Sequence, residues 1–292
     1  MIVVEVVFLL LFWSWVATAA VFLRNTILPR NVFVQTLHTQ LPLETVQFEA
    51  TDGMPLEGWR IETDPIAPWV ILCHGVGSNR LDLLDIAQGL HRSGLNVFLF
   101  DFRGHGGSGG RATSFGWQEQ RDLEGALAYL GQQPEISAAP YGVYGISMGG
   151  AVAIMVAATD ERIGAVAADS PYTGLEETLG RHLRLMFPML PRIPFLWYVL
   201  TTYRIRFGIW PRQISPETAV HRLGQRSLLI IHGAEDDRIP PAGVRRMFAN
   251  AGKTKELWMV DGAGHLESFS RFPGAYLSRV GDFFVQSLQG TP

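Results

Sequence analysis

Apolar residues along this chain gather in short continuous runs, and the stretches between them carry apolar positions at helical spacing. Runs at 69–73, 97–100, 141–146, 165–168, 228–231 and 256–260 have the length and make-up of strands buried on both faces. The stretches 81–92, 117–130, 149–158, 241–250 and 274–288 read as helices, and residues 44–61 as two strands turning at Asp52-Gly53. Regular alternation of strand and helix predicts an α/β fold. A mostly parallel sheet of about eight strands would be covered by helices on both sides, with right-handed crossovers.

Two regions depart from that alternation. Residues 1–23 are apolar apart from Glu5, Ser14 and Thr18, and Val6 to Leu23 is an uncharged run of 18. A helix of that length would be about 34 Å long, enough for a bilayer core of about 30 Å. We read it as an N-terminal transmembrane helix, followed by a linker at 24–43 and a body at 44–292. Cleavage at Ala17-Thr-Ala19 would instead make it a signal peptide and the body a secreted one. No Lys or Arg precedes the run, however, as a signal peptide's basic region requires. Arg24 and Arg30 follow it, which places the body on the cytoplasmic side. The second departure is the segment at about 171–226, too long for a plain loop and rich in aromatic and aliphatic residues. It is expected to form an inserted helical lid, with Phe187, Phe195 and Trp197 as substrate-binding side chains.

Composition narrows the possibilities. A net charge of −3 gives no nucleic-acid footprint. Cys73 is the only cysteine, which excludes an internal disulfide and a cysteine metal cluster. No metal or cofactor is expected. Gly104-His-Gly106-Gly-Ser-Gly109 matches a dinucleotide loop in letters, but no helix opens directly behind it.

Candidate chemistry centres on Gly145-Ile-Ser147-Met-Gly149, between a strand and an Ala-rich helix. That context makes it a nucleophile elbow, a serine on a strained turn at a helix N-terminus. A serine hydroxyl needs a base. His265, in a Gly-rich loop after the last strand, is the first candidate, with His74 and His232 as alternatives. The base needs an acid, and Asp236 in Gly233-Ala-Glu-Asp236 is preferred to Asp169. The amides of Met148 and Val76 are expected to form the oxyanion hole.

Together His74-Gly-Val-Gly77, Asp101-Phe-Arg-Gly-His-Gly106, the elbow, Gly233-Ala-Glu-Asp236 and Gly264-His265 resemble the α/β-hydrolase fold serine hydrolases. The similarity is to their lid-bearing esterase and acyl-peptidase-like branch, from about Thr45 onward. The order Ser147, Asp236, His265 is the order of that family. The resemblance implies the fold and the triad and leaves the substrate open. An ester or thioester of a small or lipid-like acyl substrate is expected because such bonds need no strong push on the leaving group and the lid is apolar. An aminopeptidase, with Glu176 or Glu177 anchoring the substrate amine, and a silent binding protein are the alternatives.

Overall fold

The computed structural model describes residues 41–133, 136, 140–189 and 192–289, with positions 13, 17 and 39 beside them. The expected membrane span and most of the linker lie outside that set. Of the span only Trp13 and Ala17 are described, both helical. Among the described residues no helix is long and apolar enough to cross a membrane.

Eight strands form one sheet: β1 (Glu44–Glu49), β2 (Pro55–Ile61), β3 (Trp69–Cys73), β4 (Asn96–Phe100), β5 (Tyr141–Ile146), β6 (Ile163–Asp169), β7 (Ser227–Gly233) and β8 (Lys255–Val260). Their order is β1-β2-β4-β3-β5-β6-β7-β8. β2 runs antiparallel to both neighbours, and every other pairing is parallel. The parallel strands are short apolar runs because both faces are covered, so there is no polar face to encode. In β3, Trp69, Ile71 and Cys73 enter one core and Val70 and Leu72 the other.

Helices fill both sides. α1 (Leu84–Arg92) follows β3 through a 3₁₀ turn at Arg80–Leu83, α2 (Glu119–Gly131) follows β4, and α3 (Met148–Ala157) follows β5. α2 and α3 pack in the first core, against Phe98, Phe100 and Val166. α1 closes the second core together with the C-terminal helix, through Ile86, Leu90, Tyr276, Val280 and Phe284.

Between β6 and β7 the segment anticipated as a lid contains two substantial helices, α4 (Leu175–Met186) and α5 (Arg192–Phe207), followed by single turns. Leu175, Leu179 and Leu183 form the buried stripe of α4; Phe195, Val199 and Tyr203 form that of α5. This i, i+4, i+8 spacing sets one apolar face on each helix. The helices pack on each other, and the Phe187 and Phe195 rings meet edge-on at 5.7 Å where the two are joined. Beyond β7, α6 (Pro241–Asn250) and α7 (Pro273–Gln289) complete the layers.

Candidate active site

Ser147 stands at the carboxyl end of β5, one residue ahead of α3. Its backbone has φ 50° and ψ −112°, a strained conformation for a side-chain-bearing residue. Tight packing holds it there. The Ser147 N–H donates to the Asp169 carbonyl at 2.8 Å. Behind it, a Cβ on Gly149 would lie 2.1 Å from the Cys73 carbonyl oxygen, so only glycine lets helix and strand approach. The turn leaves the Ser147 hydroxyl at the floor of a cavity of about 450 Å³.

His265 arrives from the loop after β8. Its Nε2 is 3.3 Å from Ser147 Oγ, and its Nδ1 is 2.7 Å from Asp236 Oδ2. The carboxylate can only accept, so Nδ1 carries the proton and the lone pair of Nε2 faces the hydroxyl. Asp236 is 2% exposed, and its other oxygen accepts from the N–H groups of Arg238 (2.9 Å) and Ile239 (2.8 Å). Burial pushes its carboxyl up. The hydrogen bond and charge of His265, with the Ile239 N–H, outweigh that and hold it below the ordinary carboxylate range. Gly233 is needed just below: a Cβ there would stand 2.3 Å from the Ala263 carbonyl of the His265 loop.

The alternative residues have other tasks. His74 is fully buried; its Nδ1 meets the Gly75 carbonyl at 2.7 Å and its Nε2 accepts from the Phe102 N–H at 3.0 Å. Burial pulls it down to about 3, so it is neutral. His232, also buried, donates from Nε2 to the Ile239 carbonyl at 2.9 Å and so braces the turn carrying Asp236. Asp169 accepts from the Ser170 hydroxyl (2.8 Å) and the Tyr276 hydroxyl (2.7 Å), not from His265. Tyr144 and Tyr276 meet hydroxyl to hydroxyl at 2.8 Å and extend this buried row.

Val76 and Met148 both line the cavity. Neither backbone N–H has an acceptor among the described residues. Met148 opens α3, where the helix itself offers no partner and its dipole favours negative charge. The glycine loop after β4 is structural: Asp101 accepts from the Gly107 N–H at 2.8 Å and pairs with Arg80 at 2.5 Å.

One expectation is corrected. Phe187, Phe195 and Trp197 do not line the cavity. Phe195 is 3% exposed and Phe187 packs beside it, so both are spent holding α4 against α5; Trp197 is 65% exposed and points outward. The wall is instead built by α4, through Leu175, Leu179, His182 and Met186. Their i, i+4, i+7, i+11 spacing is the sequence signal of that wall, whereas the aromatic density of α5 serves helix packing. Glu177 faces away, 3.8 Å from Arg246, and neither it nor Glu176 touches the cavity.

A family described as Serine aminopeptidase, S33 matches residues 64–209. The uncharacterized protein Rv2307c of Mycobacterium tuberculosis is 32% identical over 75% of this chain and 71% of its own length. The chain belongs to this family. It is therefore a serine hydrolase of the α/β-hydrolase fold. The uncharacterized protein YqkD of Bacillus subtilis is 28% identical over 79% of the chain and 75% of its own length. Among solved structures, the Pyrococcus furiosus esterase Pf2001 superposes with a TM-score of 0.75 at 29% identity, covering 90% of this chain and 99% of that one. Family membership leaves open which acyl bond is cut.

Proposed function

We propose that the chain hydrolyses carboxylic esters or thioesters through an acyl-enzyme on Ser147. His265 takes the Ser147 proton as Oγ attacks the carbonyl carbon, and the Asp236 carboxylate steadies the resulting imidazolium. The oxyanion lies between the Met148 and Val76 amides. Collapse of the tetrahedral intermediate breaks the bond to the leaving group, which receives the proton from His265. A water then repeats the sequence on the acyl-enzyme, with His265 again the base, and frees the acid.

The observation that carries this reading is the row Ser147 Oγ, His265, Asp236, with separations of 3.3 and 2.7 Å, opening on a cavity walled mainly by apolar side chains. Such a wall suits an acyl chain. An aminopeptidase would need a carboxylate free to hold the substrate ammonium. Asp82 is the acidic side chain on the cavity wall; its Oδ2 accepts from the Ser78 hydroxyl at 2.6 Å, and Arg238 on the same wall opposes a cation. The likeness to the esterase Pf2001 points the same way.

The test combines a fluorophosphonate probe with p-nitrophenyl butyrate and alanine p-nitroanilide. Wild type is expected to be labelled and to turn over the butyrate. Ser147→Ala is expected to lose labelling and to fall by roughly 10³-fold or more in kcat. Turnover of the anilide without the ester would give the site to a peptidase. An unlabelled, inert wild type would make it a binding protein.

A further inference from the structure

The apolar side chains of the insertion divide into two sets. Leu179, Leu183, Phe195, Val199 and Tyr203 are buried. Leu185, Met186, Met189, Trp197 and Ile205 are exposed, with Met189 at 93% and Ile205 at 80%. Five of the nine large hydrophobic side chains exposed among the described residues therefore fall in this one segment. Scattered exposed apolar residues are ordinary, but a concentration of them marks a contact surface.

Four of the five are close to the junction of α4 and α5, which the Phe187–Phe195 pair fastens. Leu185 and Met186 end α4, Met189 follows, and Trp197 lies early in α5. On α5, Trp197, Arg204 and Ile205 occupy the side opposite the buried Phe195, Val199 and Tyr203. Arg184 adjoins the tip, and three further arginines lie toward the far end of α5, beside Ile205. Arg204 and Arg212 lie over the Trp210 ring and Arg206 over the Phe207 ring. Among the described residues neither these nor Arg184 has a carboxylate partner. The hairpin thus presents an apolar tip beside Arg184, and unneutralised positive charge beside Ile205 toward the other end of α5.

We propose that this hairpin docks on an anionic lipid bilayer. Leu185, Met189 and Trp197 enter the boundary between headgroups and acyl chains, and the arginines face lipid phosphates. The positive charge favours a bilayer over an apolar protein partner. So does the uncharged run Val6 to Leu23: residues 24–40, even fully extended, can separate it from the body by at most about 60 Å. Met186 belongs to both surfaces, being 57% exposed and part of the cavity wall. The docked face therefore adjoins the way to Ser147, and an acyl substrate dissolved in the bilayer can pass to the nucleophile without crossing water. This last step rests on the hydrolase reading above; the docking itself does not.

The experiment uses the full chain reconstituted in phosphatidylcholine vesicles, with and without phosphatidylserine. Turnover of a long-chain umbelliferyl ester dissolved in the bilayer is compared with turnover of water-soluble p-nitrophenyl acetate. Leu185→Glu/Met189→Glu, at two exposed positions off the cavity wall, is expected to lower the bilayer rate about tenfold and to leave the soluble rate unchanged. Phosphatidylserine is expected to raise the wild-type bilayer rate. Equal bilayer rates for variant and wild type would overturn the docking. A loss of both rates is resolved by a second measurement that needs no turnover. Brominated phosphatidylserine is expected to quench the wild type more than Trp197→Phe, and equal quenching overturns the proposal. A dimer by light scattering that Met189→Glu converts to monomer assigns the face to a second copy and overturns it as well. A wild type inert on the soluble ester, yet quenched at Trp197, separates failure of the hydrolase reading from failure of the docking.

Discussion

Asp169 and Asp236 stand at the ends of neighbouring strands, β6 and β7, and both are 2% exposed. Their surroundings act on them in opposite directions. Asp236 takes two backbone N–H groups and the His265 imidazole, and is held below the ordinary carboxylate range. Asp169 takes two neutral hydroxyls, from Ser170 and Tyr276, and burial pushes it up to about 6. Asp169 lies the deeper of the two and has no cationic or amide donors of its own, so depth raises it, while the donors around Asp236 override burial there. A permanent anion under His265 suits a residue that must carry an imidazolium during each cycle. Asp169 acts instead as a clip. Its carbonyl receives the Ser147 N–H, and the Ser170 hydroxyl on its side chain receives the Leu266 N–H at 3.4 Å. The elbow and the His265 loop are thereby tied to the same strand end.

That contrast can be broken in several ways. The largest effect is expected from Asp236→Asn, which removes the anion and upsets the tautomer of His265. kcat for ester hydrolysis should fall about 10⁴-fold with little change in KM, whereas Asp169→Asn should stay within about tenfold. Comparable losses in the two variants would mean that His265 draws on both carboxylates. Next comes the pH dependence of stability, read from urea midpoints between pH 4 and 6.5. Asp169 has a folded value above its ordinary 3.8, so the folded state keeps a proton that the unfolded chain has released. Its contribution is complete below about pH 4 and is lost as pH rises through about 6. Wild type should therefore lose on the order of 2–3 kcal/mol relative to Asp169→Asn across that window. Asp236 has the reverse sign: its contribution is present above the ordinary carboxylate value and is lost as pH falls. Slopes of the same sign for the two asparagine variants would refute the contrast. The smallest effect belongs to Tyr276→Phe, which removes a donor from Asp169 and a partner from Tyr144. It should cost about 1–3 kcal/mol in thermal or urea unfolding and leave KM unchanged.

How legible these features are in the sequence follows the same division. The sheet can be read because each parallel strand is a short apolar run, and boundaries such as 69–73 and 141–146 coincide with those observed. The placement of Ser147, His265 and Asp236 at the strand ends was also readable, because glycines mark the sharp turns that carry them. The Asp169 clip was not. Its partner Tyr276 lies 107 residues further along the chain, and nothing local distinguishes a tyrosine that bonds a buried carboxylate from one that fills a core. The insertion reads as helical, but its aromatic side chains Phe187, Phe195 and Trp197 do not form the substrate wall that their density suggests. Aromatic side chains satisfy two demands equally well, gluing one helix to another and lining a pocket. Only packing separates those uses, and here it gave the wall to Leu179, His182 and Met186.

Cys73 ends β3 beneath the first turn of α3, with no exposed surface, and burial pushes its thiol well above the ordinary range. The chain carries no second cysteine. Maleimide chemistry therefore finds a silent background on the native fold. A cysteine introduced in place of Met189 would be the sole accessible thiol, ready for a spin label or a dye. The buried sulfur thus makes this protein convenient for attaching one reporter at one chosen place.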